Sequence, residues 1–155
     1  MTAIVALFRR IRKPYDETSM IVLCFGNRAM PEDSMAVELG LSLEVPGVTF
    51  ITSSSPEEMI DYLEEDLYLM DVAEGVDKVT LITEPERFLP PPHVTAHDLD
   101  PAVFLKVVQK LYGVSVPVIA LPMGIDVDVV REQLLRLLTA LPDRMHSRRN
   151  GATPD

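Results

Sequence analysis

The chain has 155 residues, of which 47% are hydrophobic and 25% are charged, and this composition is typical of a folded domain and excludes a wholly disordered chain. Its formal net charge is −10, and because such a surface repels phosphate backbones we expect no nucleic-acid partner. The single cysteine, Cys24, excludes an internal disulfide and fits a reducing, cytoplasmic compartment. No apolar run approaches the roughly 20 residues that a membrane span needs.

The charge is unevenly distributed along the chain. Residues 1–14 contain four cations and no acid, so we expect residues 1–19 to form a basic arm ahead of the folded domain. Residues 143–155 are polar and show no periodicity, which predicts a disordered tail. Residues 20–142 are then predicted to form one domain.

Five strands are predicted where short apolar runs, several of them rich in β-branched residues, end at turn residues. These runs are 21–25, 48–52, 67–70, 79–83 and 117–121. The third run is wholly apolar and ends at Asp71. The segment between the third and fourth runs is short enough for a hairpin-type connection.

Four helices are predicted from apolar spacing and from start and stop signals. They cover 34–43, 55 to about 65, 100–111, and a segment from Asp126 or Asp128 to a point before Pro142. Ser55 and Glu58 have the spacing of a capping box at the start of the second helix. Strands that alternate with helices predict a three-layer α/β fold, with a mostly parallel, twisted five-stranded sheet and helices on both faces.

In such a sheet, functional sites lie beyond the carboxyl ends of the strands. The acidic pair Glu32 and Asp33 follows the first strand, Asp71 ends the third, and His97 lies in a loop before the third helix. Each has an ordinary alternative explanation, as a helix N-terminal acid, a turn acceptor or a surface histidine. Together, two carboxylates and an imidazole are a donor set for a divalent metal with open coordination positions.

The loop after the first strand resembles the signature loop of the [NiFe]-hydrogenase maturation endopeptidases. In both, an apolar strand enters Gly26-Asn27, four variable residues follow, and then an acidic pair, here Glu32-Asp33. Leu69-Met70-Asp71 resembles the strand of that family that ends in an aspartate. Residues 95–99, Thr-Ala-His-Asp-Leu, resemble its His-x-Leu element before a helix. The resemblance covers about residues 20–140.

Members of that family remove a short C-terminal extension from the hydrogenase large-subunit precursor after nickel has been inserted. The resemblance implies that Asp33, Asp71 and His97 are the catalytic and metal-binding residues. The metal would be nickel carried by the precursor, with another divalent metal as a possible substitute. It also implies that Gly26 and Asn27 shape the turn that presents Asp33, and that Glu32 either orients the loop or accepts a hydrogen bond that supports a ligand.

Two other functions are compatible with the sequence. The first is a noncatalytic relative that binds nickel or the hydrogenase precursor as a maturation factor. The second is a small α/β ligand-binding module, which the absence of a G-x-G-x-x-G motif and of a P-loop disfavours. Ser34 and Ala36 stand where the family usually has glycine, which indicates a divergent member.

Overall fold

The computed structural model describes residues 20–27, 29–31, 33–85 and 101–141, except for the side chains of Pro101 and Ala102. The predicted basic arm 1–19 and the predicted tail 143–155 lie outside the described residues. Within the described part of the chain, no helix is long and apolar enough to cross a membrane.

Five strands form one sheet in the order β2-β1-β3-β5-β4. They are β1 Met20–Phe25, β2 Val48–Ser53, β3 Leu67–Ala73, β4 Thr80–Ile82 and β5 Val118–Pro122. The first three and β5 pair in parallel, and β4 pairs antiparallel with β5. The carboxyl ends of the four parallel strands therefore lie at one edge of the sheet.

Helices cover both faces of this sheet, so the predicted three-layer α/β architecture is confirmed. They are α1 Met35–Ser42, a 3₁₀ helix Pro56–Tyr62, α2 Pro101–Tyr112 and α3 Val127–Ala140. Buried residues of α1 and α3 pack on one face with Val22, Cys24 and Met70. The 3₁₀ helix and α2 contribute Met59 and Leu105 to the core on the other face.

The side chains of β1 alternate between the two core clusters, as expected for a strand covered on both faces. Met20, Val22 and Cys24 belong to one core cluster, and Ile21 and Leu23 belong to the other. All six β1 residues are buried. The apolar run that predicted this strand is therefore the centre of both hydrophobic layers.

Most of the predicted elements have the predicted bounds to within one residue, but the second helix differs. The segment from Pro56 forms a 3₁₀ helix that ends at Tyr62, and Ser55 makes no side-chain capping bond. The Ser53 hydroxyl donates to the Ser55 carbonyl at 2.8 Å and accepts from the Ser55 amide at 3.3 Å. The predicted capping box is wrong because Ser53 already satisfies the Ser55 amide, which Glu58 would have bound.

Two predictions about the third strand were also wrong. The strand continues past Asp71 to Ala73, because Val72 and Ala73 pair with Leu121 and Pro122 of β5. The segment after β3 is not a hairpin connection, since β5 lies between β3 and β4. A strand added late in the sequence takes the place beside β3, which a local pattern cannot reveal.

Candidate active site

The loop after β1 begins at a glycine whose backbone lies against Asp33. Gly26 has a φ of 154°, and a Cβ built on it would lie 2.2 Å from the Asp33 carbonyl oxygen. No side chain can occupy that space without moving the backbone. The chain thus leaves the strand and returns to its end within seven residues, which requires glycine at position 26.

Four hydrogen bonds close this loop around Asn27. The Asn27 carbonyl accepts from the Met30 amide at 3.0 Å, and its side-chain Oδ1 accepts from the Ala29 amide at 2.9 Å. The Met30 carbonyl accepts from the Asp33 amide at 3.0 Å. The Asp33 Oδ2 accepts from the Asn27 amide at 3.1 Å. The loop therefore fixes the half-buried Asp33 carboxylate at the end of β1.

The Asp33 carboxylate keeps the capacity to bind a further group. A carboxylate offers about four acceptor positions on its two oxygens, and the Asn27 amide occupies one of them. A hydrogen bond to one oxygen orients the group and leaves the other oxygen available. This is how ligating carboxylates are commonly held in metal sites.

Asp71 lies within β3, at the same edge of the sheet. It pairs with Ala120 of β5, and it follows the Cys24–Met70 pair by one residue, which places it level with Phe25 at the end of β1. Its side chain shares the alternation of Leu67 and Leu69, so it lies on the face covered by the 3₁₀ helix and α2. Its Oδ1 accepts from the Val72 amide at 2.9 Å.

The two predicted aspartates are therefore associated with the ends of neighbouring strands. β1 and β3 are hydrogen-bonded to each other, which sets a spacing of roughly 4.8 Å between them. Asp33 lies against Gly26 and is hydrogen-bonded to Asn27, the two residues that directly follow β1. Asp71 is level with the residue before them. The loop that holds Asp33 therefore starts from the strand next to the one that holds Asp71, at the carboxyl edge of the sheet.

The remaining predicted site residues, Glu32 and His97, lie outside the described residues. Within the described ranges, no three histidine, cysteine, aspartate or glutamate side chains form a group that could hold a metal ion. The three-residue site of Asp33, Asp71 and His97 stays a prediction. So does the role of Glu32.

Cys24 is not a nucleophile of this site. Its side chain is buried within β1, burial raises its pKa to about 12, and its thiol donates to the Val22 carbonyl at 3.7 Å. A thiol with that pKa is almost wholly protonated at neutral pH. The interpretation of Cys24 as a small core residue agrees with this environment.

The carboxyl edge also carries exposed apolar side chains that the sequence did not single out. Met30 lies in the β1–α1 loop, and Met123 directly follows β5; both are exposed. The sequence pattern that could have indicated them is an apolar residue just beyond the end of a strand. Such a residue is hard to distinguish from the apolar residues of the neighbouring strand or helix. Both lie at the edge of the sheet at which β1 ends and Asp71 is located.

Comparison with known proteins identifies the fold. No family model matches the sequence, and no curated protein does. A [NiFe] hydrogenase maturation protease HycI from Thermococcus kodakarensis KOD1 aligns with a TM-score of 0.48 and 15% identity, over 88% of this chain and 97% of that one. An endopeptidase from Escherichia coli aligns with a TM-score of 0.55 and 16% identity, over 81% of this chain and 93% of that one. The chain therefore shares the α/β fold of the Escherichia coli endopeptidase.

Proposed function

We propose that the chain is a cytoplasmic endopeptidase that removes the C-terminal extension of a [NiFe]-hydrogenase large-subunit precursor after nickel insertion. Asp33, Asp71 and His97 bind the nickel carried by the precursor. The loop from Gly26 to Asp33 presents the first of these ligands.

One observation carries the proposal: a hydrogen bond to Asn27 holds the Asp33 carboxylate just after β1, and Asp71 lies in the neighbouring strand β3, level with the last residue of β1. Two further observations support it. The loop sequence resembles that of the maturation endopeptidases, and the fold is shared with a solved endopeptidase. Functional sites in α/β sheets concentrate at this edge.

The chemistry of the proposed ligands suits nickel. Carboxylate oxygen and imidazole nitrogen are donors that bind divalent nickel well. An enzyme that docks through the metal cuts only a precursor that already contains it, so processing follows metal insertion. A metal held beside the scissile bond can polarise its carbonyl or lower the pKa of a water. The Asn27 amide keeps the Asp33 carboxylate oriented for this contact.

The test is a cleavage assay on the large-subunit precursor, with and without nickel, read as the mass loss of the large subunit. We expect the wild-type protein to cut only the nickel-loaded precursor. Asp33→Asn and Asp71→Asn keep the side-chain shape and remove the charge. Removing a residue that supports a metal ligand can slow a reaction by roughly 100-fold. Loss of a ligand itself should slow cleavage by at least that factor.

Glu44→Gln is the matched control, because Glu44 is an exposed acid in the loop that leads into the amino end of β2. It should cleave at the wild-type rate. Normal cleavage by Asp33→Asn or by His97→Ala would rule out the proposed ligand set. Binding of the loaded precursor by the wild-type protein with no mass loss would instead favour the noncatalytic maturation factor.

A further inference from the structure

The amino-terminal edge of the sheet, opposite the candidate active site, carries an unusually exposed apolar helix end. Val107, Leu111 and Tyr112 in the last turns of α2 are all exposed, and Leu111 is 71% accessible. Phe104, Val107 and Leu111 lie on one flank of the helix by their spacing. Phe104 packs against the core cluster below α2, so this flank continues outward from the core.

An acidic segment lies beside α2. The 3₁₀ helix contacts α2 directly, and residues 29–77 contain no lysine or arginine. Burial raises the pKa of Tyr62, and the neighbouring carboxylates of Asp61 and Glu58 raise it further. The carboxylates of the 3₁₀ helix therefore create a negative potential that disfavours ionisation of the Tyr62 hydroxyl. Glu64, just beyond the helix, adds another exposed carboxylate.

The described chain begins at this same edge. The Ile21 amide donates to the Asp66 carbonyl at 2.9 Å, and the Met20 amide donates to the Gly47 carbonyl at 2.8 Å. The first described residues, Met20 and Ile21, therefore lie next to the segment that leads from the 3₁₀ helix into β3. The 19 residues before Met20 could extend about 60 Å, much farther than the neighbouring helices.

We propose that residues 1–14 dock on this surface, which comprises the 3₁₀ helix, Glu64 and the exposed flank of α2. The apolar stretch 3–8 covers Val107 and Leu111, and the cations in 9–13 face the carboxylates of the 3₁₀ segment. The order along the arm fits the order on the surface. Outward from Met20 the arm presents first its cations and then its apolar residues. On the body, the acidic 3₁₀ segment leads to Asp66, whose carbonyl accepts from the Ile21 amide, and α2 contacts the 3₁₀ helix.

A nitroxide probe in the full-length chain tests this docking. Thr2→Cys provides the labelling position, because the only natural cysteine, Cys24, is buried. We expect the amide signals of residues 107–112 to lose at least half of their intensity through paramagnetic broadening. Signals of 132–139 in α3, on the other face of the sheet, should keep theirs. Reversing the charges with Arg9→Glu and Arg10→Glu should restore the α2 signals.

A second pair of variants tests the apolar contact. In the labelled chain, Leu111→Gln should reduce the broadening on α2 at least twofold. Leu135→Gln is the matched control, since Leu135 is an exposed leucine of α3, and it should leave the broadening unchanged. Unbroadened α2 signals, equal broadening on α3, or broadening that survives charge reversal would each overturn the proposal. So would equally strong broadening in a mixture of labelled, unenriched chain with unlabelled, isotope-enriched chain, since a second copy would then be the occupant.

Discussion

The carbonyl oxygen of Asp33 occupies the space that a side chain at Gly26 would need. The separation from an ideal Cβ is 2.2 Å, well inside any van der Waals contact. This approach closes the β1–α1 loop and brings a candidate ligand to the strand end from which the loop departs. The Asp33 Oδ2 bond to the Asn27 amide completes the same closure.

Gly26→Ala should therefore open the loop. A positive φ costs a residue with a side chain about 1–2 kcal/mol, and the overlap with the Asp33 carbonyl adds to this. We expect the free energy of unfolding, measured by urea titration, to fall by about 3 kcal/mol. Gly75→Ala is the control, because Gly75 also has a positive φ, of 85°, but has nothing within 4 Å of the added carbon. Equal losses in the two variants would show that the close approach has no energetic weight.

The two roles of Asp33, closing the loop and binding substrate, can be separated by two substitutions. Asp33→Asn keeps an oxygen that can accept from the Asn27 amide, so its free energy of unfolding should stay within about 0.5 kcal/mol of wild type. Asp33→Ala removes the acceptor and should cost about 1 kcal/mol. Both should lose precursor cleavage. If Asp33→Asn unfolds as easily as Asp33→Ala, the Asn27 bond does not stabilise the loop.

The sequence predicts those parts of this site that local patterns encode. An apolar run that stops at Gly26 predicts both the strand and the turn. The alternation of strands with helices predicts that the carboxyl ends of the parallel strands lie at one edge of the sheet. The continuation of β3 beyond Asp71 could not be predicted, because its cause is pairing with β5, which lies almost 50 residues later. Likewise, Gly26 is visible in the sequence, but the atom that it must accommodate is not.

The same limit of local sequence patterns applies to the residues that begin helices, and substitutions can test it. Both Asp126 and Ser55 are residues that favour the N-cap position. Asp126 Oδ1 accepts from the Asp128 amide at 2.8 Å, whereas Ser55 makes no side-chain capping bond. Asp126→Ala should therefore lower the free energy of unfolding by about 1 kcal/mol. Ser55→Ala should change it by less than about 0.5 kcal/mol. A larger loss for Ser55→Ala in urea titrations would contradict the structure.

The buried thiol of Cys24 predicts a loss of stability at alkaline pH. The folded protein holds this proton up to a pKa of about 12, compared with 9.0 for an ordinary thiol. Above about pH 9 the unfolded state therefore ionises while the folded state does not, and ionisation favours unfolding. The contribution of the protonated thiol to the free energy of unfolding is complete below pH 9. It declines as the pH rises toward 12, by up to about 1.4 kcal/mol per pH unit.

Cys24→Ala isolates this effect, because Tyr62, whose pKa is also raised, is present in both proteins. The free energy of unfolding should be measured by urea titration at pH 8 and at pH 10. The wild-type protein should lose about 1 kcal/mol more than Cys24→Ala over this interval. Parallel declines in the two proteins would mean that the thiol ionises in the folded state as readily as in the unfolded one.

Gly40 brings the backbone of α1 close to the Cys24 side chain of β1. A Cβ at Gly40 would lie 2.6 Å from the Cys24 Sγ but 3.4 Å from the Cys24 Cβ, which is ordinary contact. In the wild-type background, Gly40→Ala should lower the free energy of unfolding by about 1 kcal/mol, since overpacking outweighs the better helix propensity of alanine. In the Cys24→Ala background the sulfur is gone, and the same substitution should raise the free energy by about 1 kcal/mol. The double-mutant cycle should thus give a coupling of about 2 kcal/mol. Additive effects would show that the helix can shift to relieve the contact, and that the sulfur does not fix the distance between α1 and the sheet.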